Sequence, residues 1–320
     1  MPLDARVRRF LDLLAATNPP SALSLSVEDR RAALGHLMGF GGPPAPVERV
    51  TDWSIAGRHG PLRARVYTPR GSGVGALPGI VYFHGGGLVA GSVDTHDAVA
   101  RSMAQATGCR VVSVEYRLAP EHRFPAAVED AIDASIQVMG RGAEIGIDPA
   151  RVGVAGDSAG ATLAAVVCQS LAHSGDPQPA MQLLLCPILD YAGTSESRRE
   201  LASGYLVDDA TLAHDLRHYL PAAAAIEDPR VSPLRSTALT GIAPTHIHAA
   251  EFDPLRDEAA AYAQNLRAAG VAVSYTCHPG MIHLFYGLGG VIPYAQTAWA
   301  QIGAQVGATF GLARAAGGDG

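Results

Sequence analysis

The stretch RVGVAGDSAGATLAAVV, residues 151–167, decides how the chain reads. It joins a short apolar run, Arg151–Gly156, to a helical pattern, Ala159–Ala172, through Gly156-Asp157-Ser158-Ala159-Gly160. A serine on such a strand-to-helix turn projects its hydroxyl above a sheet. Its backbone is strained, and the residues two before and two after it must be small because strand and helix approach closely. The helix N-terminus favours negative charge developing nearby. The plain alternative, a tight turn with an idle serine, does not need these flanks.

Working outward, further apolar runs occur at Val50–Ala56, Leu62–Thr68, Gly79–His84, Arg110–Tyr116, Met181–Cys186, Thr245–Glu251 and Val271–Cys277. From Gly79 onward most are short and continuously apolar, as strands buried on both faces of a parallel sheet are. Helical patterns at His96–Thr107, Ala126–Met139 and Leu255–Ala269 fill gaps between them. Alternating strand and helix predicts right-handed βαβ units and a mostly parallel eight-stranded sheet covered on both faces, an α/β fold. The first two runs, joined by Gly57–Pro61, predict an antiparallel edge. Residues 1–46 look helical and end in the breaker-rich GFGGPPAPV, residues 39–47. Leu189 to Ala243 is too long for one crossover and holds a helical stretch, Asp208–Leu220, so it reads as an insertion over the sheet. The expected division is 1–46 as N-terminal cap helices, 47–188 and 241–320 as core, and 189–240 as cap insertion.

His84-Gly85-Gly86-Gly87 follows the third run directly. Three glycines leave backbone N–H groups unshielded, and a developing anion can approach them closely. Gly85 and Gly86 are the expected donors, with the N–H of Ala159 after the serine. A phosphate loop is the rival reading, but no GxxxxGK[ST] occurs, and the helical pattern opens only near His96, too late for a dinucleotide fingerprint. Asp253 lies past the carboxyl end of the seventh run, where α/β sheets place functional groups. His283 is expected on a Gly-containing loop, Pro279–His283, after the last strand. A serine hydroxyl is a poor nucleophile until an imidazole takes its proton, and a carboxylate holds that imidazole in the right tautomer. The order Ser158, Asp253, His283 suits that chemistry. Asp257, one helical turn on and read as exposed, is a rival acid. His278, read as a surface histidine, is a rival base. His246 and His248 alternate on one strand like a ligand pair, but H-x-H without a third ligand is weak evidence for a metal.

The 24 Lys+Arg against 30 Asp+Glu, a net charge of −6, argue against a nucleic-acid binder. Only 17% charged and 48% hydrophobic residues exclude disorder. Charged residues from Asp4 to Asp12 interrupt any signal core, and the segment reads as an amphipathic helix through Leu3, Val7, Phe10 or Leu11, and Leu14. Cys109, Cys168, Cys186 and Cys277 sit in or beside apolar runs without a CxxC pair, so they read as reduced packing residues of a cytoplasmic chain. No charged side chain occurs from Ala268 to Ala313. Val291, Ala295, Ala298, Ile302, Val306 and Phe310 nevertheless follow helical spacing with glutamines on other faces, which predicts a core-packed terminal helix and no membrane span.

Taken together, HGGG at 84–87, YRLAPEHRFPAAVED at 116–130, GDSAG at 156–160, DPLRDE at 253–258 and PGMIH at 279–283 resemble the bacterial hormone-sensitive-lipase-like esterases, α/β-hydrolases with a helical cap. The resemblance covers roughly residues 50–313. It implies a carboxylic ester hydrolase with Ser158, Asp253 and His283 as triad and Gly85, Gly86 and Ala159 as oxyanion donors. It also implies a cap built from the N-terminal segment and the insertion. Leu88, where such enzymes often carry a large aromatic, and Leu284-Phe285, where Gly-Phe is common, depart from the pattern and reshape the expected pocket. Arg117–Glu121 matches the family without an obvious chemical role and reads as a buttress, as does Asp157, read as a turn residue. Leu88, Tyr205, Leu206 and Leu284 are the expected substrate-binding residues, and the insertion around Tyr205, Leu206, His214 and His218 is expected over the crevice. Arg6, Arg8, Asp12, Asp208, Asp209, Asp215 and Arg217 make these parts too polar for an exposed lipid-binding face. A soluble ester of short to medium acyl chain is therefore the expected partner. The chemistry needs no metal and no organic cofactor. Nucleic acid and membrane are not expected partners, and a homodimer is compatible with the sequence. An amidase, lactonase or deacetylase with the same triad remains open, as does a non-catalytic small-molecule receptor, although such a receptor should have lost the nucleophile's base, and His283 is present.

Overall fold

The computed structural model describes residues 1–73, 75–221 and 223–312. The expected core segment's last residues, 313–320, lie outside the described residues. Eight strands form one sheet: β1 (Arg49–Gly57), β2 (Gly60–Thr68), β3 (Leu77–Phe83), β4 (Arg110–Val114), β5 (Ile147–Asp157), β6 (Gln182–Leu185), β7 (Thr245–Phe252) and β8 (Val273–Ile282). Their order is β1-β2-β4-β3-β5-β6-β7-β8. β1 and β2 pair antiparallel, as do β2 and β4, and every later pairing is parallel. The expected antiparallel edge is thus present, turned by Arg58 and His59 between the paired Gly57 and Gly60.

Side chains alternate along each strand, so consecutive residues serve opposite cores. On β3, Val81 and Phe83 join one core, and Ile80 and Tyr82 join the other. The first is closed by α4 (Ala126–Arg141), α5 (Ala159–Ser174) and α8 (Arg256–Ala268). The second is closed by α1 (Ala5–Ala16), α3 (Asp97–Thr107) and α9 (Tyr294–Thr309). Asp4 caps α1, its carboxylate accepting from the N–H groups of Arg6 and Val7 at 2.7 and 3.2 Å. Val7, Phe10 and Leu11 are the buried face of that helix. α9 buries Ala295, Ala298, Ile302 and Val306, so the charge-free C-terminal run is core-packed. Among the described residues no helix is long and apolar enough to cross a membrane.

α2 (Val27–Met38), α6 (Glu196–Glu200) and α7 (Asp209–Tyr219) are the remaining α-helices among the described residues, α6 and α7 lying in the insertion. α7 contacts the short turn Ala22–Ser24, and His214 Nε2 lies 3.3 Å from the Leu25 carbonyl, so the insertion and the N-terminal segment pack together. His214 and Asp215, read above as polar positions, are buried in that contact. One strand end also differs. Pro279–Ile282 is not a loop but the last part of β8, re-paired with β7 as Phe252↔Ile282 after a register shift. The Gly280 N–H donates to Glu251 Oε2 at 2.7 Å, which holds this irregular stretch beside β7.

Candidate active site

β5 ends at Asp157 and α5 begins at Ala159, leaving Ser158 alone on the turn with φ +53° and ψ −121°. The steric reason for its neighbours is explicit. A Cβ on Gly156 would collide with the backbone of Gly160, and one on Gly160 with the carbonyl of Phe83. The Ser158 N–H donates to the Leu185 carbonyl at 2.8 Å, tying the turn to the end of β6.

The ends of β7 and β8 bring the other two candidates to it. His283 Nε2 lies 3.0 Å from Ser158 Oγ, and His283 Nδ1 lies 2.8 Å from Asp253 Oδ2. Asp253 Oδ1 accepts the Leu255 N–H at 2.9 Å, which orients the carboxylate. With Asp253 accepting, Nδ1 carries the ring proton and Nε2 faces the serine as an acceptor. All three residues are buried. Burial alone would lower the His283 pKa, but the charge of Asp253 and its hydrogen bond outweigh this and hold it above the ordinary 6.5. Ser158, Cys186, Leu284 and Leu88 all have positive φ on the loops around this row. Such strain persists where the surrounding structure over-determines the backbone.

The glycine loop follows β3. Gly86 and Gly87 have φ of +120° and +67°, conformations suited to glycine. Gly85 differs from the expectation: its N–H donates to Asp157 Oδ1 at 2.9 Å and is not free to face an anion. Asp157 also accepts from the Tyr82 hydroxyl. It is therefore a fully buried brace at the end of β5, not a turn residue. Burial raises its pKa above the ordinary carboxylate value, against the Tyr82 and Gly85 donors. Among the described residues, the N–H groups of Gly86 and Gly87 find no protein acceptor. Ala159, the first residue of α5, has no intrahelical partner for its N–H either. Gly87, which the sequence marks only as the third glycine of the run, thus takes the place beside Gly86 that was expected for Gly85 as a backbone N–H without a protein acceptor.

The remaining candidates fall into different places. Leu284 is buried directly after His283, and Leu88 is buried in the core with Phe83, its carbonyl accepting from the Ala119 N–H at 2.9 Å. Tyr205 and Leu206 are half-buried, and the Tyr205 ring stacks on Phe252, one residue before Asp253, with centroids 5.6 Å apart. His214 points to Leu25 and Asp215 and not into the crevice, and His218 Nδ1 donates to the His214 carbonyl at 2.9 Å. Asp257 is half-buried, accepting from the Ser197 N–H and Arg256, away from His283. His278 is buried and not on the surface, facing His248 at 3.0 Å. Burial lowers the pKa of His248 to about 3 and of His278 to about 4, so both are neutral near pH 7. His246 is engaged by Ser274 and Thr309. Cys186 Sγ comes within 4.8 Å of ligand atoms of Asp253 and His283. Burial and then the Asp253 charge push its thiol well above the ordinary range, so it stays protonated, a poor metal ligand.

The arrangement places a hydroxyl, a ring nitrogen and an orienting carboxylate in one buried row, and the glycine loop is tied to the serine turn through Gly85 and Asp157. The family of the alpha/beta hydrolase fold matches residues 80–287. The chain is 43% identical over 253 residues to a carboxylic ester hydrolase, LipN, of Mycobacterium tuberculosis, covering 77% of this chain and 66% of that protein. It is 38% identical to an ethyl acetate hydrolase of Pseudomonas putida, over 77% of this chain and 78% of the relative. Its structure superposes with a TM-score of 0.93 on an ester hydrolase from the metagenome of Lake Arreo, at 38% identity over 97% of this chain and 99% of that one. A hyperthermophilic esterase of Pyrobaculum calidifontis gives a TM-score of 0.90, also at 38% identity, over 96% and 99% of the two chains. The chain belongs to the α/β-hydrolase family, in its hormone-sensitive-lipase-like branch of carboxylic ester hydrolases.

Proposed function

We propose that the chain hydrolyses carboxylic esters through an acyl-enzyme on Ser158. The observation that carries this is the unbroken row Ser158 Oγ–His283 Nε2 and His283 Nδ1–Asp253 Oδ2, at 3.0 and 2.8 Å. Ser158 attacks the ester carbonyl while Nε2 takes its proton. Asp253 keeps Nδ1–H in place and stabilises the imidazolium. The raised pKa of His283 makes it a better base than a free imidazole once deprotonated. The N–H groups of Gly86, Gly87 and Ala159 bind the oxyanion, with Gly85 withdrawn to Asp157. His283 then returns its proton to the leaving alcohol, and a water activated by the same nitrogen releases the acid.

The N-terminal segment and the insertion form the cap in this reading, and the substrate is a soluble ester of short to medium acyl chain. Two features support it. α2 and α7 pack against the glycine loop, which leaves a walled site, and one relative acts on an acetyl ester, by its name. The test is a panel of esters from about two to sixteen acyl carbons, with amide and lactone analogues. Short and medium esters are expected to be hydrolysed fastest. Ser158→Ala is expected to lower kcat by about 10³ or more. A fully active Ser158→Ala variant contradicts the mechanism, and fastest turnover of the longest chains contradicts the substrate range.

A further inference from the structure

Apart from the triad, a buried ion pair joins Arg30 on α2 to Asp215 on α7. Arg30 Nε and Nη2 donate to Asp215 Oδ1 and Oδ2 at 3.1 and 2.8 Å. The two side chains are 12% and 4% exposed, so solvent screens them little. His214 Nδ1 adds a contact to Oδ1 at 3.0 Å.

This pair sits on the glycine loop. A Cβ on Gly87 would collide with Asp215 Oδ2, so the carboxylate fills the space a side chain would take there and lies against the Gly87 backbone. Two more residues of α2 address the same loop. Leu34 Cδ2 lies 2.9 Å from the position of a Gly86 Cβ, and Arg31 Nε donates to the Val89 carbonyl at 2.9 Å. Leu34 is four positions after Arg30 and three after Arg31, so each arginine neighbours it on the helix surface.

We propose that Arg30 is a positioning residue for the oxyanion loop: it holds Asp215 against Gly87 and cancels the charge this carboxylate would otherwise place beside the oxyanion. The inference rests on the reading of Gly86 and Gly87 as oxyanion donors. In a weakly screened interior, an unneutralised carboxylate next to those N–H groups opposes the negative charge that develops in the transition state. Bidentate Arg30 removes that opposition and fixes the geometry at once. The two covering segments then govern turnover as well as access.

The test compares Arg30→Met, Arg30→Lys, Asp215→Asn and the double variant R30M/D215N on an activated acetate ester. Active sites are titrated with an organophosphonate, so that kcat refers to competent molecules. Arg30→Met is expected to lower kcat about tenfold to a hundredfold with KM little changed, short of the 10²–10³ lost with a whole oxyanion donor. Arg30→Lys restores part of that loss. Asp215→Asn costs less kcat than Arg30→Met, because the charge left over is the Arg30 cation, which does not oppose the oxyanion. The double variant recovers towards Asp215→Asn in kcat per titrated site, whereas a merely structural ion pair shows its coupling in the melting temperature alone. The proposal is overturned if Arg30→Met lowers only the melting temperature, if it changes KM alone, or if the double variant is slower than either single one. Where Arg30→Met fails to fold, wild-type kcat in both Arg30→Lys and Asp215→Asn overturns it. Turnover by Ser158→Ala with Arg30 and Asp215 intact would instead overturn the site reading.

Discussion

The N–H of Gly85 donates to the carboxylate of Asp157, the residue immediately before Ser158, at 2.9 Å. The glycine loop and the serine turn are thus one hydrogen-bonded unit, although 72 residues separate the two partners. Tyr82, on the strand that leads into the loop, donates to the same oxygen.

That unit has a testable consequence. Asp157→Asn keeps a carbonyl oxygen for both donors and is expected to retain most of kcat. Asp157→Ala leaves the Gly85 N–H and the Tyr82 hydroxyl buried without an acceptor, at a cost of about 1–3 kcal/mol for each unpaired donor. It should lower both the melting temperature and kcat. Equal kinetics for the two variants would show that the brace does not set the loop.

The pH profile follows from His283. Its pKa is raised, so the free base, and with it kcat/KM, appears only above the ordinary imidazole value near 6.5. Removing the carboxylate in Asp253→Asn leaves burial as the dominant influence, which lowers the pKa. The acidic limb of the residual activity is therefore expected at lower pH than in the wild type, alongside a large loss of kcat. A limb that stays in place would mean another group titrates.

Stability separates the glycines. At Gly160 an added methyl meets the backbone of β3, which cannot yield, so Gly160→Ala is expected to destabilise by about 3 kcal/mol or more. At Gly35, inside α2, nothing lies within 4 Å, and Gly35→Ala should stabilise by about 0.5–1 kcal/mol. Urea denaturation midpoints of the two variants read both signs. Equal midpoints would contradict the close approach of α5 to β3.

Chemical labelling distinguishes the two nucleophilic side chains of the site. Cys186 is buried and held protonated, so iodoacetamide is expected to leave it unmodified in the native protein and activity intact. An organophosphonate is expected to label Ser158 and abolish activity. Mass spectrometry of native and unfolded samples checks this; rapid native labelling of Cys186 would mean the thiol is reached and ionised.

The sequence by itself determined the elements that depend on short-range patterns. Short, continuously apolar runs marked the strands, and helical spacing marked α3, α4, α5, α8 and α9 to within a few residues. Gly156 was legible because the clash it avoids, with the Gly160 backbone, is created within a turn of five residues, whereas Gly160 avoids the Phe83 carbonyl on β3. The order Ser158, Asp253, His283 was legible because each follows a recognisable strand. Tertiary structure alone decided which groups are taken and which are free. Gly85 and Gly86 look alike in sequence, but only Gly85 faces Asp157. Pro279–Ile282 carries turn residues, but re-pairing with Phe252 keeps it in β8. Asp215 reads as one more charge on the polar insertion, but Arg30, 185 residues away, pairs with it inside the protein. The physical reason is the same in each case: sterics and burial periodicity act between near neighbours in the chain, while the fate of a single N–H or carboxylate depends on the one partner that folding brings to it.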